Sequence, residues 1–245
     1  MQPFLKLVIF KVHFAQPEPV PFDEKASQKF ITRIKKAFPD IQSRQGFTAK
    51  FTFSKDTPQY MATPIKSWLC HDMEKTKTLG LAADGLSIEY RGADTFERQR
   101  KGYIEVLDAF VGLFPKIEIG RLGMRYINEI ELKGKPFAGW RRYVHSSLLS
   151  GFRFPQDEKV FSRAYSNLTF NYGEFSVQFQ YGMPNPDFPA PITKKIFTLD
   201  YDAFHQGTLT RDEVVKLLPK FHDRILDLFR SSVKKAALDM AGIRI

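Results

Sequence analysis

The run Ile117-Glu118-Ile119-Gly120-Arg121-Leu122-Gly123-Met124-Arg125-Tyr126-Ile127-Asn128-Glu129-Ile130-Glu131-Leu132 carries the most distinctive chemistry in the sequence. Its apolar residues alternate with period two, which predicts a strand over 117–132. Leu122, Met124, Tyr126, Asn128, Ile130 and Leu132 then share one face, and Arg121, Gly123, Arg125 and Ile127 the other. Arg121 and Arg125 stand about 13 Å apart at about 3.3 Å per residue, with a glycine between them. Two planar guanidinium forks beside a notch without a side chain suit a phosphate or a carboxylate, because arginine can donate two parallel hydrogen bonds to either. The same spacing also serves a purely structural role, in which each arginine pairs with a carboxylate on a neighbouring strand.

Two further groupings are basic. Lys25, Lys29, Arg33 and Lys36 follow one another at offsets of four, four and three, so they form one stripe on a helix. Between residues 133 and 163 lie Lys133, Lys135, Arg141, Arg142, Arg153, Lys159 and Arg163, opposed only by Asp157 and Glu158. Trp140, Tyr143, Phe152 and Phe154 are interleaved there, a pattern that suits backbone contacts combined with base stacking. The candidate anion- or nucleic-acid-contacting set is therefore Arg121, Arg125, Asn128, Arg141, Arg142, Lys25, Lys29, Arg33 and Lys36.

Other chemistries find less support. His13, His71, His145, His205 and His222 are scattered without a metal-ligand spacing, and a single cysteine, Cys70, removes disulfide frameworks and multi-cysteine zinc sites. Cys70 and His71 are adjacent, so on a strand they point to opposite faces and make no nucleophile pair. Asp200 and Asp202 flank Tyr201, where paired carboxylates could hold Mg²⁺, although a strand-end turn is the commoner explanation. Gly120 to Gly123 matches a G-x-x-G loop, but within a strand pattern it cannot join two helices. No hydrolase elbow, Walker loop or dinucleotide fingerprint is present, and no catalytic residue, metal ligand or cofactor emerges.

The elements that must position these residues follow from periodicity. Strands are expected at 4–14, around Phe47, Ala49, Phe51 and Phe53, at 65–73, 77–83, 86–91, 117–132, 160–172, 175–183 and 195–201. Helices are expected from Phe22 to Phe38, from Thr95 to Phe114, as a short helix at 139–150, and as a C-terminal segment broken or kinked at Pro219. This order reads as a single α+β domain, 1–245, of two similar strand-helix-antiparallel strands-helix halves, 4–114 and 117–240. A TATA-binding-protein-like saddle fits that order, with a helix-grip arrangement of two sheets around a central helix as the alternative. Thr48, Thr52, Thr169, Asn171, Ser176, Gln178 and Gln180 would make the outward sheet face polar and uncharged.

Arg121-Leu122-Gly123-Met124-Arg125-Tyr126-Ile127-Asn128 resembles the R-[IL]-G-x-R-Y-I-N signature of a sporadically distributed family of uncharacterised prokaryotic proteins of similar length. Phe38-Pro39, Trp68, Asp84-Gly85 and Tyr103 agree with it in places along the chain. The resemblance implies a shared fold and a patchy distribution reminiscent of mobile-element or phage-defence genes; it implies no reaction.

Composition sets the outer bounds. The 245 residues hold 37 Lys+Arg against 27 Asp+Glu, a net charge of +10, with 43% apolar and 26% charged residues, which is globular rather than disordered or fibrous. The charge is spread evenly: 19 Lys+Arg and 14 Asp+Glu in residues 1–122, and 18 and 13 in residues 123–245, so no basic tail accounts for it. No stretch approaches the ~20 apolar residues of a membrane span, and a cytoplasmic protein is expected. These readings favour a non-enzymatic nucleic-acid- or polyanion-binding component. The alternatives are a protein-interaction or antitoxin-like subunit docking through 17–21, 184–191 or the C-terminal helix, and an enzyme acting on a phosphate-containing substrate.

Overall fold

A computed structural model describes residues 4–15, 24–53, 58–92, 94–131, 136–152, 160–185, 187–190, 192 and 194–242, with the side chains of 24, 48–53, 58–65 and 241 left undescribed. Along the chain run β1 (Leu5–Phe14), α1 (Glu24–Ile34), β2 (Asp40–Phe53), β3 (Pro58–His71), β4 (Lys77–Ala82), β5 (Gly85–Arg91), α2 (Phe96–Val111) and β6 (Ile119–Glu131). After 3₁₀ turns at Phe137–Arg142 and Ser146–Phe152 come β7 (Ala164–Asn171), β8 (Ser176–Met183), β9 (Ile196–Leu209), α3 (Arg211–Ser232) and α4 (Lys235–Ala241).

Among the described residues the strands form one sheet of nine, in the order β2-β3-β4-β5-β1-β6-β9-β8-β7. Every pairing is antiparallel. One face carries the alternating apolar residues, Val8, Phe10 and Val12 on β1 and Leu122, Met124 and Tyr126 on β6, all buried. The helices cover that face: Phe10 stacks on Tyr103 of α2, Phe110 of α2 meets Phe30 of α1, and Tyr201 of β9 meets Phe229 of α3. The other face remains open among the described residues. Arg121 and Arg125 belong to it.

This architecture corrects the expected fold class. The molecule is mostly β, a single large antiparallel sheet, and neither a duplicated strand-helix saddle nor two sheets around a central helix. The segment expected as a helix at 139–150 breaks the proposed repeat. Two 3₁₀ turns stand there instead, and they gather Phe137, Trp140 and Phe152 into one aromatic cluster. β9 also runs eight residues beyond the expected 195–201, because its Tyr201-Asp202-Ala203-Phe204-His205 stretch pairs with β6 and β8. On β2, Phe47 is 75% exposed rather than core-facing; Ala49, Phe51 and Phe53 have side chains outside the described residues.

The helix termini and interiors follow local chemistry. Thr210 and Glu213 form the capping box of α3, each satisfying a backbone N–H of the other. There is no break at Pro219: α3 continues through it to Ser232, with Val233 as its C-cap. Proline has no N–H for the carbonyl four residues earlier, and here the Val215 carbonyl accepts from Arg100 Nη2 of α2 at 3.4 Å. A neighbouring helix thus supplies a donor where the proline removes one.

Candidate functional site

Asp202 of β9 lies opposite Arg125 of β6, and Asp200 opposite Ile127, so two carboxylates share the open face with the two arginines. Arg125 donates from Nε and Nη2 to the two oxygens of Asp200, at 2.8 and 2.5 Å, and the Asp200 side chain is only 5% exposed. Arg121 Nη2 donates to Asp202 at 3.2 Å. Its guanidinium also covers the Phe204 ring, 4.8 Å from the centroid. Arg121 crosses the strand over Gly123: a Cβ there would lie 2.9 Å from Arg121 Nη1, so the guanidinium would have to shift. The spacing of the motif therefore provides room for an internal ion pair rather than a notch for a ligand.

The titration directions support the Arg125–Asp200 pair and run against the Arg121–Asp202 one. Hydrogen bonds to Asp200 hold the Arg125 guanidinium more firmly protonated, against the opposing effect of burial. Burial pushes the Asp202 carboxyl above the usual range, although Arg121 and Arg125 pull it down. Tyr165 of β7 donates to Gln180 Oε1 at 2.9 Å, and its phenol is raised by burial and then by the Asp200 charge. Arg125 has two of its donors committed to Asp200 and Arg121 one to Asp202, so both forks are already partly engaged.

Other cations of the open face are paired in the same manner, except Arg44 of β2, which is exposed and has no ion-pair partner among the described residues. Lys11 lies 3.8 Å from Asp84, and Arg91 3.0 Å from Glu89. His13 is also 3.8 Å from Asp84, but burial, Lys11 and Arg121 favour its neutral form. Thr169, Asn171, Ser176, Gln178 and Gln180 supply the expected uncharged polar surface; the Thr48 and Thr52 side chains lie outside the described residues. Asn128 is corrected outright. It is 3% exposed and faces the helix layer, away from the arginines and from any external anion.

The basic groupings behave differently. On α1, Lys25, Lys29 and Arg33 are exposed, and Lys36 is exposed in the turn that follows. Lys29, Arg33 and Lys36 make no ion pair with a described residue. At another place, the Val144–Val233 bridge brings the 3₁₀ region beside the break between α3 and α4, where Lys234 N donates to Tyr143 O at 2.7 Å. Arg141, Arg142, Lys234 and Lys235 are all exposed there, and none has an ion-pair partner among the described residues. Arg142 lies 5.8 Å from the centroid of the half-buried Tyr143 ring. Lys234 and Lys235 are hidden in the sequence because the helical pattern runs on past Val233.

The stacking residues fare less well. Trp140 is fully buried and donates to Ile130 O at 3.1 Å, so it is core rather than a platform for bases. Lys133, Lys135, Arg153, Phe154 and Lys159, and the loop 17–21, lie outside the described residues. In the other proline-rich loop, Asn185 donates to the carbonyls of Ser162 and Ala190, both at 3.0 Å, which anchors it.

Cys70 is fully buried and its thiol is pushed up to about 11 by burial and by Asp40, so it is an unreactive core residue. His71 on the opposite face meets Thr78 Oγ1 at 3.1 Å. Among the described residues no three His, Cys, Asp or Glu side chains gather as a metal site, and no helix is long and apolar enough to cross a membrane. No protein-family model, no curated protein and no solved structure matches the chain.

Proposed function

We propose that the protein is a polyanion-binding component that engages nucleic acid through its helical periphery rather than through the open sheet face. The observation that carries this reading is the contrast in pairing. On the open face Arg121 and Arg125 sit against carboxylates and Arg44 is left unpaired, whereas Lys29, Arg33 and Lys36, and Arg141, Arg142, Lys234 and Lys235, form two groups that are exposed and unpaired among the described residues. Unpaired surface cations retain the full charge that phosphate contacts require, and each contact releases condensed counterions. The R-x-G-x-R motif is then a strand-joining device, and binding is backbone-directed with little base reading.

Fluorescence anisotropy with labelled single-stranded DNA and RNA tests the reading. Affinity should fall steeply between about 50 and 200 mM salt. Arg141→Ala/Arg142→Ala and Lys29→Ala/Arg33→Ala should each lower affinity and flatten the salt slope by about one unit for every phosphate no longer engaged. Arg121→Ala should bind like the parent. Absence of binding at low salt defeats the proposal, and loss of binding in Arg121→Ala alone would return the site to the sheet.

A further inference from the structure

β7 closes one end of the sheet, and among the described residues it pairs only with β8. Its sequence, Ala164-Tyr165-Ser166-Asn167-Leu168-Thr169-Phe170-Asn171, contains no charge and no proline, and the side chains from Tyr165 to Thr169 are all exposed. Edge strands normally carry lysine, proline or a bulge to discourage further pairing. This one has none of them.

The direction of its free groups follows from the hairpin. Tyr172 N donates to Phe175 O, so 172/175 is a hydrogen-bonded pair, and alternation turns the backbone groups of 164, 166, 168 and 170 toward β8. Those of Tyr165, Asn167, Thr169 and Asn171 point outward. A second strand can bond only to this outward set.

We propose that the occupant is β7 of a second copy of this chain, paired antiparallel about a two-fold axis through Leu168. Side chains opposite each other must share a face, so a two-fold pairing has to be centred on a residue rather than between two. Centred on Leu168, it sets Asn167 against Thr169 and Tyr165 against Asn171 in hydrogen-bonded pairs. Leu168 then meets its own copy in a non-bonded pair, where opposing side chains approach closest.

Two observations select this occupant over an unrelated peptide. Leu168 is 42% exposed at the margin of the apolar face, opposite the buried Phe179, so self-pairing extends the core across the axis. Charge is complementary at both ends. The exposed Arg163 of each copy comes beside the Gly173–Glu174 turn of the other, where the Glu174 side chain is 51% exposed even with Lys220 bound. Two bodies of net charge +10 thus meet along an uncharged strand with a cation facing a carboxylate at each margin.

Sedimentation equilibrium over a concentration series should show a species of twice the 28.3 kDa chain mass. Leu168→Lys, which opposes two like charges, should return it to monomer with an unchanged circular dichroism spectrum. Under mild oxidation Leu168→Cys should give a covalent dimer, because close non-bonded pairs meet disulfide geometry, whereas Thr169→Cys should not. A monomer throughout overturns the proposal. So does a dimer that survives Leu168→Lys, or one that Thr169→Cys traps better than Leu168→Cys.

Discussion

At the residue scale, the two arginines that look alike in sequence differ in what they hold. Asp200 is 5% exposed and takes both its hydrogen bonds from Arg125, whereas the Arg121–Asp202 pair is about a quarter exposed on each side. Removing one partner of a buried ion pair leaves an uncompensated charge in low dielectric. Arg125→Ala should accordingly destabilise the fold by about 3–5 kcal/mol, and Arg121→Ala by at most about 1 kcal/mol, in urea unfolding. Equal losses would show that Asp200 is hydrated despite its burial.

A second residue-scale effect lies beneath the helices. The His222 ring stacks on Phe96 with centroids 3.9 Å apart, and its Nδ1 is 2.8 Å from the Tyr126 hydroxyl. Burial lowers its pKa, with Arg230 acting in the same direction and Asp223 and Glu97 opposing. The folded state therefore favours the neutral ring. That contribution is present in full above the unfolded value, about 6.5, and is lost as pH falls from there toward the lower folded value. Melting temperature should decline as pH drops below about 6.5, and His222→Gln should flatten that decline in part. His13, which is lowered too, retains its share. An unchanged profile in His222→Gln would place the effect elsewhere.

At the scale of elements, α3 depends on α2 for its continuity. If Arg100 compensates for the N–H that Pro219 lacks, the two residues are energetically coupled. Arg100→Ala should cost about 1–3 kcal/mol in the parent, as an orphaned carbonyl does, and less in Pro219→Ala, where residue 219 regains its own donor. Urea denaturation of the four proteins measures the coupling, and strict additivity would mean that the 3.4 Å hydrogen bond contributes nothing. The same helix shows what sequence could and could not reveal. The Thr210–Glu213 capping box and the apolar face at Val214, Leu217, Leu218, Phe221 and Ile225 are local patterns, legible because their partners lie within one or two turns. The rescue of Pro219 depends on a residue 119 positions earlier and leaves no local trace. The β6 strand is likewise legible from its alternation, which places Arg121 and Arg125 correctly on one face. Their partners are visible as Asp200 and Asp202, but the register that joins them is set by packing of β9 against β6 and β8. The regular order of strands and helices suggests two equal halves, yet the 137–152 region turns on aromatic packing around Trp140 that periodicity cannot register.

For the whole molecule, the question raised by +10 is where the charge is left unpaired. The open face holds Arg121 and Arg125 against carboxylates and leaves Arg44 unpaired, while α1 and the Arg141–Lys235 end expose whole groups of cations unpaired among the described residues. α1 packs on α2 and α2 on α3, and the second patch sits at the C-terminal end of α3, so a ligand reaching both crosses the helix layer. A short anion would find one patch or the other. If a polyanion spans them, the counterions released at each patch add, and log affinity against log salt steepens with the number of phosphates engaged. A combined Lys29→Ala/Arg33→Ala/Arg141→Ala/Arg142→Ala variant should show the sum of the slope reductions seen in the two separate pairs, measured with a long single-stranded probe. With a probe too short to bridge, the pairs should instead act independently, each removing its own population of sites. A combined variant no flatter than either pair on the long probe would mean that only one patch meets the ligand at a time.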